Sequence, residues 1–236
     1  EGLAQPYYDR LFLCDGDALV LSTDKLLRIL LYVRDHGPHI RRVGVYGDAR
    51  NVASKSVSEL MELREAGLGI IYHGVESGDD EVLKRIGKGA DSAAQLEAAV
   101  RIKAAGILYS AIVLLGVGGV ELSERHAHKT AEFLSKADPD YLGLLMLRLV
   151  PGTPLFEDAR SGRFVLPDKW GLLRELRIIT AESDLTDCRY SANHASNYLP
   201  LTGKMPEDRE KIINLLDRVL ESKEESLLKP EWLRGL

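Results

Sequence analysis

Short apolar runs alternate with amphipathic stretches along the first two thirds of the chain. The apolar runs cover residues 11–14, 43–46, 69–73, 107–115 and 141–149. Runs of this length, each followed by glycine or polar residues, are typical of strands buried on both faces of a sheet. The stretches between them carry apolar residues at helical spacing. Strands that alternate with helices in this order predict repeated βα units and a parallel sheet.

The helices have recognisable ends in the sequence. Ser56 and Glu59 form a capping-box pair, in which each side chain satisfies a backbone N–H of the first turn. Beyond the fifth strand the βα pattern stops. There, residues 166–183 and 206–226 are predicted to be helices, and residues 187–206 an irregular polar segment.

A complete eight-stranded βα barrel needs about 250 residues, and the βα pattern of this chain ends near Arg160. We therefore predict an α/β fold in which residues 1–160 form a partial, open TIM-like barrel of about five parallel strands. Residues 161–236 are predicted to be a mostly helical C-terminal extension. The chain begins with Glu1 and not with Met, so we expect a fragment of a longer protein.

The composition narrows the classes of function. The 236 residues include 31 Lys and Arg against 36 Asp and Glu, a net charge of −5. Without excess positive charge, general binding to nucleic acids or membrane surfaces is not expected. The most apolar stretch, residues 107–120, is too short to span a bilayer. Two cysteines are too few for a disulfide framework, which favours a reducing cytoplasm.

Glycine or acidic residues follow each of the five predicted strands. The five exits are Asp15-Gly16-Asp17, Asp48 with Arg50, Glu76-Ser77-Gly78, residues 116–119 and residues 150–153. Parallel βα folds bind ligands at the carboxyl ends of their strands. Glycine lets a ligand approach the backbone, and carboxylates accept hydrogen bonds. Such residues also build ordinary tight turns, but five exits on one rim lead us to expect a small-molecule site.

The longest of these motifs resembles a segment of the radical S-adenosylmethionine (radical SAM) superfamily. Residues 74–89 fit the pattern G-x-E-S-G-x-x-x-x-L-x-x-x-x-K/R-G, which follows the fourth barrel strand in one large branch of that superfamily. Residues 15–17 stand where the superfamily has a Gly-Gly-Glu motif. Residues 114–119 resemble its adenine-contacting motif, with Gly119 where Glu is frequent, and residues 150–155 resemble the exit of its sixth strand.

The resemblance implies a site for S-adenosylmethionine and a reaction. Nine residues are implied to bind this cofactor: Asp15, Gly16, Asp17, Arg50, Glu76, Ser77, Gly116, Gly118 and Val150. Glu76 is expected near the ribose or the methionine end. Members of the superfamily cleave S-adenosylmethionine reductively with a 4Fe-4S cluster, and the 5′-deoxyadenosyl radical then abstracts hydrogen from a substrate. The resemblance identifies neither the substrate nor catalytic side chains.

The cysteines depart from the pattern of the superfamily. Its members bind the cluster through Cys-x3-Cys-x2-Cys after the first strand, because thiolates are soft, anionic ligands for iron. Cys14 and Cys188 are far apart and form no such triplet. We therefore predict no metal site in this chain and expect the cluster ligands upstream of residue 1. The chain alone is expected to be inactive.

Several histidines and one cysteine have structural interpretations. His126 and His128 lie two positions apart on a predicted helix, point in different directions, and are expected to be solvated. His73 is expected either to pack with a hydrogen bond or to contact a ligand. Cys14 is expected to pack inside a strand.

Arg50 is expected either to bind an anion bidentately or to pair with Asp48 or Glu76. His194 and Asn197 lie in the irregular segment and are speculative substrate contacts. Their alternative is a set of local hydrogen bonds within the loop.

Two other functions compete with a radical SAM enzyme. A lyase or aldolase-type barrel would need a lysine or a metal cluster at the strand ends, and the sequence offers none there. A non-catalytic ligand-binding or scaffold domain would never have had the cysteine triplet. Because the first predicted strand would be an unpaired sheet edge, we also expect that edge to pair either with a second copy of the chain, by self-association, or with the displaced N-terminal segment.

Overall fold

The computed structural model describes residues 8–14 and 16–235. Seven strands in these residues form one open sheet, with neighbours in the order β1-β2-β3-β4-β5-β6-β7. The strands are β1 (Arg10–Leu13), β2 (Arg42–Tyr46), β3 (Leu68–Glu76), β4 (Leu108–Leu115), β5 (Tyr141–Met146), β6 (Cys188–Ala192) and β7 (Leu201–Met205). The predicted open α/β fold of the TIM-barrel type is confirmed.

Among the described residues, eight α-helices lie between the first six strands, as repeated βα units require, and a ninth follows β7. They are α1 (Thr23–His36), α2 (Ala49–Ala53), α3 (Val57–Glu65), α4 (Asp80–Arg85), α5 (Ser92–Ala104), α6 (Gly119–Ala137), α7 (Pro154–Arg160), α8 (Lys169–Glu182) and α9 (Arg209–Ser222). None of the helices in the described part of the chain is long and apolar enough to cross a membrane.

The predicted irregular segment at residues 187–206 is wrong, because it contains β6 and β7. β6 pairs in parallel with β5, and β7 pairs antiparallel with β6. In β6 the residues Cys188, Tyr190 and Ala192 are buried while Arg189 is exposed. This is the period of two that a half-buried strand requires.

Packing divides the chain into two compact units. The first comprises Glu1–Gly74 and Ala93–Ala111, and the second comprises Val75–Ser92 and Ile112–Leu236. Residues 161–236, the predicted helical extension, fall within the second unit. The predicted domain boundary at residue 160 stays a prediction.

In the first unit, β1 pairs in parallel with β2, and β2 with β3. Helices α1 and α3 bury Leu26, Leu30, Leu60 and Leu63. The capping box predicted at the start of α3 is present: the Ser56 hydroxyl accepts from the Glu59 N–H, and the Glu59 carboxylate accepts from the Ser56 N–H.

Strand β1 stands first in the strand order and is only partly buried. The ring of Phe12 packs edge-on against Tyr46 and Tyr72, with centroids 4.8 and 5.5 Å away. The strand ends at Leu13, so Cys14 begins a loop and is exposed; its predicted burial in a strand is wrong. Self-association through this edge stays a prediction.

In the second unit, α6 packs along α8, and α8 packs against α9. Their apolar faces bury Leu134 of α6, Leu176 and Ile179 of α8, and Leu216 of α9. This spacing at three and four residues is the helical period that the sequence predicts for α8 and α9.

Asn197 is wholly buried and bonds to three backbone groups on two strands of the second unit. Its Nδ2 donates to the carbonyl oxygens of Leu144 (2.8 Å) and Ala192 (2.6 Å), and its Oδ1 accepts from the N–H of Met146 (2.9 Å). The side chain therefore ties the ends of β5 and β6 together. This arrangement favours the structural alternative over a substrate contact for Asn197.

Replacing Asn197 by Ala should destabilise the protein strongly. The substitution removes the side-chain donor to the buried carbonyl oxygens of Leu144 and Ala192, while the Met146 N–H keeps the Ser196 hydroxyl as an acceptor; a buried polar group that loses its partner costs about 1–3 kcal/mol. We expect a loss of about 3 kcal/mol in the free energy of unfolding, measured by urea denaturation. Asn193→Ala, at an exposed position of the same loop, is the control and should change stability by less than about 0.5 kcal/mol. Equal effects of the two substitutions would contradict this account.

Candidate functional site

The exits of β1 and β2 are joined by Asp17. Its Oδ2 accepts from the N–H of Asp48 and from the Nδ2 of Asn51, both at 2.7 Å. Its Oδ1 accepts from the N–H of Leu19 at 2.9 Å. The expectation that exits of neighbouring parallel strands meet is confirmed for this pair. Three hydrogen bonds to Asp17 show that its first role is to brace two loops.

The other predicted site residues at the exits of β1 and β2 are Arg50, Gly16 and Asp15. Arg50 is exposed and pairs with Asp48, with Nε and Oδ1 3.0 Å apart, so the predicted ion pair is confirmed. Gly16 has a φ of +76°, a left-handed conformation that favours glycine. Asp15 lies outside the described residues.

The exit of β3 carries a strained acidic residue. Glu76 has a φ of +61°, a conformation that costs a residue with a Cβ roughly 1–3 kcal/mol. Its carboxylate pairs with Lys88 at 3.2 Å, and 24% and 18% of the two side chains are exposed. Strain of this kind at a half-buried ion pair is typical of ligand sites.

Ser77, the next residue, is wholly buried and faces α6. Its hydroxyl lies 2.8 Å from Nδ1 of His126 and accepts from the N–H of Asp79 at 3.0 Å. Thr130, one turn along α6 from His126, accepts from the N–H of Gly78 at 3.0 Å. The Ser77 turn is thus held by side chains from α6.

The exit of β4 is held by a buried carboxylate from α8. Gly116 has a φ of +86°, and its N–H donates to Oε2 of Glu175 at 2.6 Å. Oε1 of Glu175 accepts from the Ser123 hydroxyl at 2.6 Å. Only 1% of the Glu175 side chain is exposed, and Nε2 of His126 lies 3.8 Å from Oε2. Gly118 precedes α6, and a Cβ there would lie 3.2 Å from the Cβ of His126.

Burial determines the protonation states of Glu175 and His126. Burial raises the pKa of Glu175 to about 7, although the hydrogen bonds from the Ser123 hydroxyl and the Gly116 N–H act to lower this pKa. It lowers the pKa of His126 to about 4, although Asp79 opposes this shift. At neutral pH the histidine is therefore uncharged, and Glu175 titrates.

A cavity of about 320 Å³ lies at the exits of β4 and β5. Its apolar lining includes Ile86, Leu114, Val117 and Val150, and Thr153 adds a hydroxyl. This volume is at the lower end for small-molecule sites, which combine apolar walls with a few polar groups. Val150 therefore lies in the wall of a cavity whose volume is within the range of small-molecule sites.

The chain does not supply the ligands of an iron–sulfur cluster. It has two cysteines, and burial with nearby acidic groups raises the pKa of the Cys188 thiol to about 12, which disfavours the thiolate. Among residues 8–14 and 16–235, no group of three or more His, Cys, Asp or Glu side chains could hold a metal ion.

The remaining predicted residues have structural surroundings. Nδ1 of His194 lies 2.9 Å from the Ser196 hydroxyl, a local loop contact. His73 is buried, with Nδ1 3.2 Å from the Tyr109 hydroxyl. This contact agrees with the expectation that His73 packs with a hydrogen bond. His128 is exposed and pairs with Glu182.

Sequence reasoning missed His126 and Glu175. His126 is wholly buried, so its predicted exposure is wrong. The signal was available: His126 lies in the stripe of Leu122, Ala127 and Leu134, which α6 buries. Glu175 likewise lies among the buried leucines of α8. A titratable residue inside an apolar helical stripe indicates a buried polar network.

Replacing Glu175 by Gln should stabilise the protein at high pH. The folded-state pKa of Glu175 is raised from 4.5 to about 7, so its contribution to stability is complete below pH 4.5 and is lost as the pH rises through 7. Gln stays uncharged. The free energy of unfolding of E175Q relative to that of the wild type should therefore rise by about 2.5 kcal/mol between pH 5 and pH 8.

The control is Glu182→Gln, on the same helix at a side chain with 47% exposure. Its difference from the wild type should stay small at every pH. Urea denaturation at half-unit steps from pH 5 to 8 measures both variants. A difference between E175Q and the wild type that does not change with pH would show that Glu175 is not buried as described.

Comparison with protein families matches residues 2–134 to the Radical SAM superfamily. An uncharacterized methyltransferase of Pyrococcus horikoshii, PH0819, is 25% identical over 154 residues, which are 65% of this chain and 32% of that protein. The chain thus spans about a third of the length of this curated relative.

Solved structures share the fold. Elp3 of Methanocaldococcus infernus, with an N-terminal deletion, has a TM-score of 0.65 at 15% identity, covering 91% of this chain and 54% of that one. Coproporphyrinogen III oxidase of Escherichia coli, a radical SAM enzyme, has a TM-score of 0.59 at 17% identity, covering 74% and 40%. These identities show likeness of fold alone. The family match covers more than half of the residues, so the chain belongs to the Radical SAM superfamily of enzymes.

Proposed function

We propose that this chain is the part of a radical SAM enzyme that binds S-adenosylmethionine. The observation that carries the proposal is the cavity at the exits of β4 and β5, with Val150 in its wall. The nucleoside would occupy this cavity. The methionine end would contact Glu76 and Lys88, and Lys88 follows two positions after Ile86 of the cavity wall.

The cavity suits the chemistry of a nucleoside. Leu114, Val117 and Val150 offer aliphatic surface to the faces of a flat base, and burial of those faces drives binding. Thr153 offers a hydroxyl at the mouth, although that hydroxyl donates to the Val150 carbonyl in this structure. The size of the cavity favours a nucleoside over a larger cofactor.

The Glu76–Lys88 pair suits the other end of the molecule. The methionine part of S-adenosylmethionine is a zwitterion with an ammonium and a carboxylate. A carboxylate and an ammonium of the protein, 3.2 Å apart and half-buried, can exchange their mutual contact for two contacts with such a zwitterion. Charge-assisted hydrogen bonds of this kind are stronger than neutral ones.

The contributions of Asp15, Gly16, Asp17 and Arg50 to this site stay proposals. Ser77, Gly116 and Gly118 are proposed to shape the site through their turns, because Ser77 and the N–H of Gly116 already have partners within the protein. His194 stays a speculative substrate contact.

The reaction needs a 4Fe-4S cluster, which supplies the electron for reductive cleavage of S-adenosylmethionine to a 5′-deoxyadenosyl radical. The chain's two cysteines cannot provide three thiolates. We propose that the cluster ligands come from outside these 236 residues and that the chain alone is inactive. A non-catalytic ligand-binding domain is the competing proposal, and it predicts no cleavage even by a longer protein that carries the cysteine triplet.

Filling the cavity should block nucleoside binding. Val150→Trp places an indole against the cavity wall, and the affinity of the chain for S-adenosylhomocysteine, measured by isothermal titration calorimetry, should fall at least about tenfold. Val100→Trp, at an exposed position of α5, is the control and should bind like the wild type. If V150W binds S-adenosylhomocysteine as tightly as the wild type does, the nucleoside does not bind in this cavity.

Comparing the binding of S-adenosylhomocysteine with that of methylthioadenosine distinguishes contacts to the methionine end from contacts to the nucleoside. Methylthioadenosine has the same nucleoside but lacks the zwitterion. Glu76→Gln and Lys88→Met should each lower the affinity for S-adenosylhomocysteine about tenfold. Neither substitution should change the affinity for methylthioadenosine. Lys136→Met, at an exposed ion pair with Glu132 on α6, is the control for general loss of a positive charge. Equal weakening of both probes by E76Q would place Glu76 away from the methionine end.

A further inference from the structure

A buried polar chain connects two turns of the proposed cofactor site. On one side His126 contacts Ser77, which follows Glu76. On the other side Glu175 accepts from the N–H of Gly116, between the cavity residues Leu114 and Val117. His126 and Glu175 face each other, with Nε2 and Oε2 3.8 Å apart, and neither side chain is more than 1% exposed.

From this geometry we infer that Glu175 and His126 are positioning residues, which fix the Gly116 turn and the Ser77 turn and thereby set the affinity of the site for the nucleoside. The inference rests on the proposed function. Neither residue contacts the cavity of 320 Å³, so both act through the backbone of the turns. No comparison assigns a role to either residue.

The Gly116 turn depends on Glu175 for a specific reason. The Gly116 N–H donates to a carboxylate oxygen of α8, Oε2 of Glu175, at 2.6 Å. A hydrogen bond to an ionised acceptor is roughly twice as strong as one to a neutral acceptor, so ionisation of Glu175 should tighten the turn.

The surroundings leave His126 as the only other titratable group in direct contact with Glu175 among the described residues. Nδ1 of His126 is engaged by Ser77, while Nε2 is buried and has no hydrogen-bond partner in the described part of the chain. The shifted pKa of Glu175, about 7, agrees with titration of this carboxylate in the neutral range.

Charged groups on the neighbouring elements are already paired or lie farther out. Asp79, before α4, pairs with Arg125 of α6 at 2.6 Å. Further charged residues border the groove that Glu175 adjoins between α6 and α8: Glu121, Glu124, Asp168 and Arg174. None of these has an ion pair or hydrogen bond with Glu175 or His126 among the described contacts.

The first test measures affinity against pH. Isothermal titration calorimetry of the 236-residue chain with S-adenosylhomocysteine, between pH 6 and 8, should show affinity rising about fivefold in the wild type. Glu175→Gln should bind with the weaker, low-pH affinity at every pH. Glu175→Ala should bind more weakly still, since Gln retains an acceptor for Gly116 and Ala does not.

Matched controls lie on the same two helices. Glu182→Gln on α8 and His128→Asn on α6 remove exposed groups and should keep the wild-type profile. A purely structural role for Glu175 would make stability and affinity change in the same direction. The inference requires opposite directions at pH 8: E175Q is more stable than the wild type and binds more weakly.

The second test needs no ligand. Hydrogen–deuterium exchange of the peptide that contains Gly116, corrected for intrinsic exchange rates, should be faster in E175A and E175Q than in the wild type at pH 8. Faster exchange in this peptide supports the inference, and unchanged exchange overturns it. An E175Q variant with a wild-type pH profile of affinity also overturns it. Absence of S-adenosylhomocysteine binding by the wild type at every pH would contradict the proposed function instead, and exchange then decides the inference alone.

Discussion

The buried carboxylate of Glu175 is the interaction on which the end of β4 depends. It accepts from the Gly116 N–H and the Ser123 hydroxyl and faces His126, so it joins β4, α6 and α8 at one point. Burying a carboxylate costs stability, and its raised pKa reports that cost. The fold accommodates this cost at the turn whose neighbours Leu114 and Val117 line the cavity.

The end of β3 also combines an energetic cost with a position at the proposed site. Glu76 is held in a left-handed conformation, while the buried Ser77 turn behind it is bonded to His126 and Thr130 through Ser77 and Gly78. Turns held this firmly present their outward side chains in one arrangement. Preorganised side chains lose little entropy when a ligand binds, which raises affinity without added contact area.

The sequence predicts the first five strands, because each is an apolar run with glycine or acidic residues at its end. It does not reveal β6, because two of its buried positions are Cys188 and Ala192, whose small side chains hide the alternation, and β7 has only its two end residues, Leu201 and Met205, buried. The motif at residues 74–89 resembles the family that the match over residues 2–134 shows, and the structure adds the Glu76–Lys88 pair. His126 and Glu175 were missed because their function depends on contacts between helices, which a helical period alone does not specify.

The central claim is that the turns after β3, β4 and β5 together hold a nucleoside that carries an amino acid. A crystal structure of the chain with S-adenosylhomocysteine tests this claim most directly. We predict the adenine against Leu114, Val117 and Val150, and the amino acid at Glu76 and Lys88. A nucleoside bound elsewhere, with the cavity unfilled at full ligand occupancy, would contradict it.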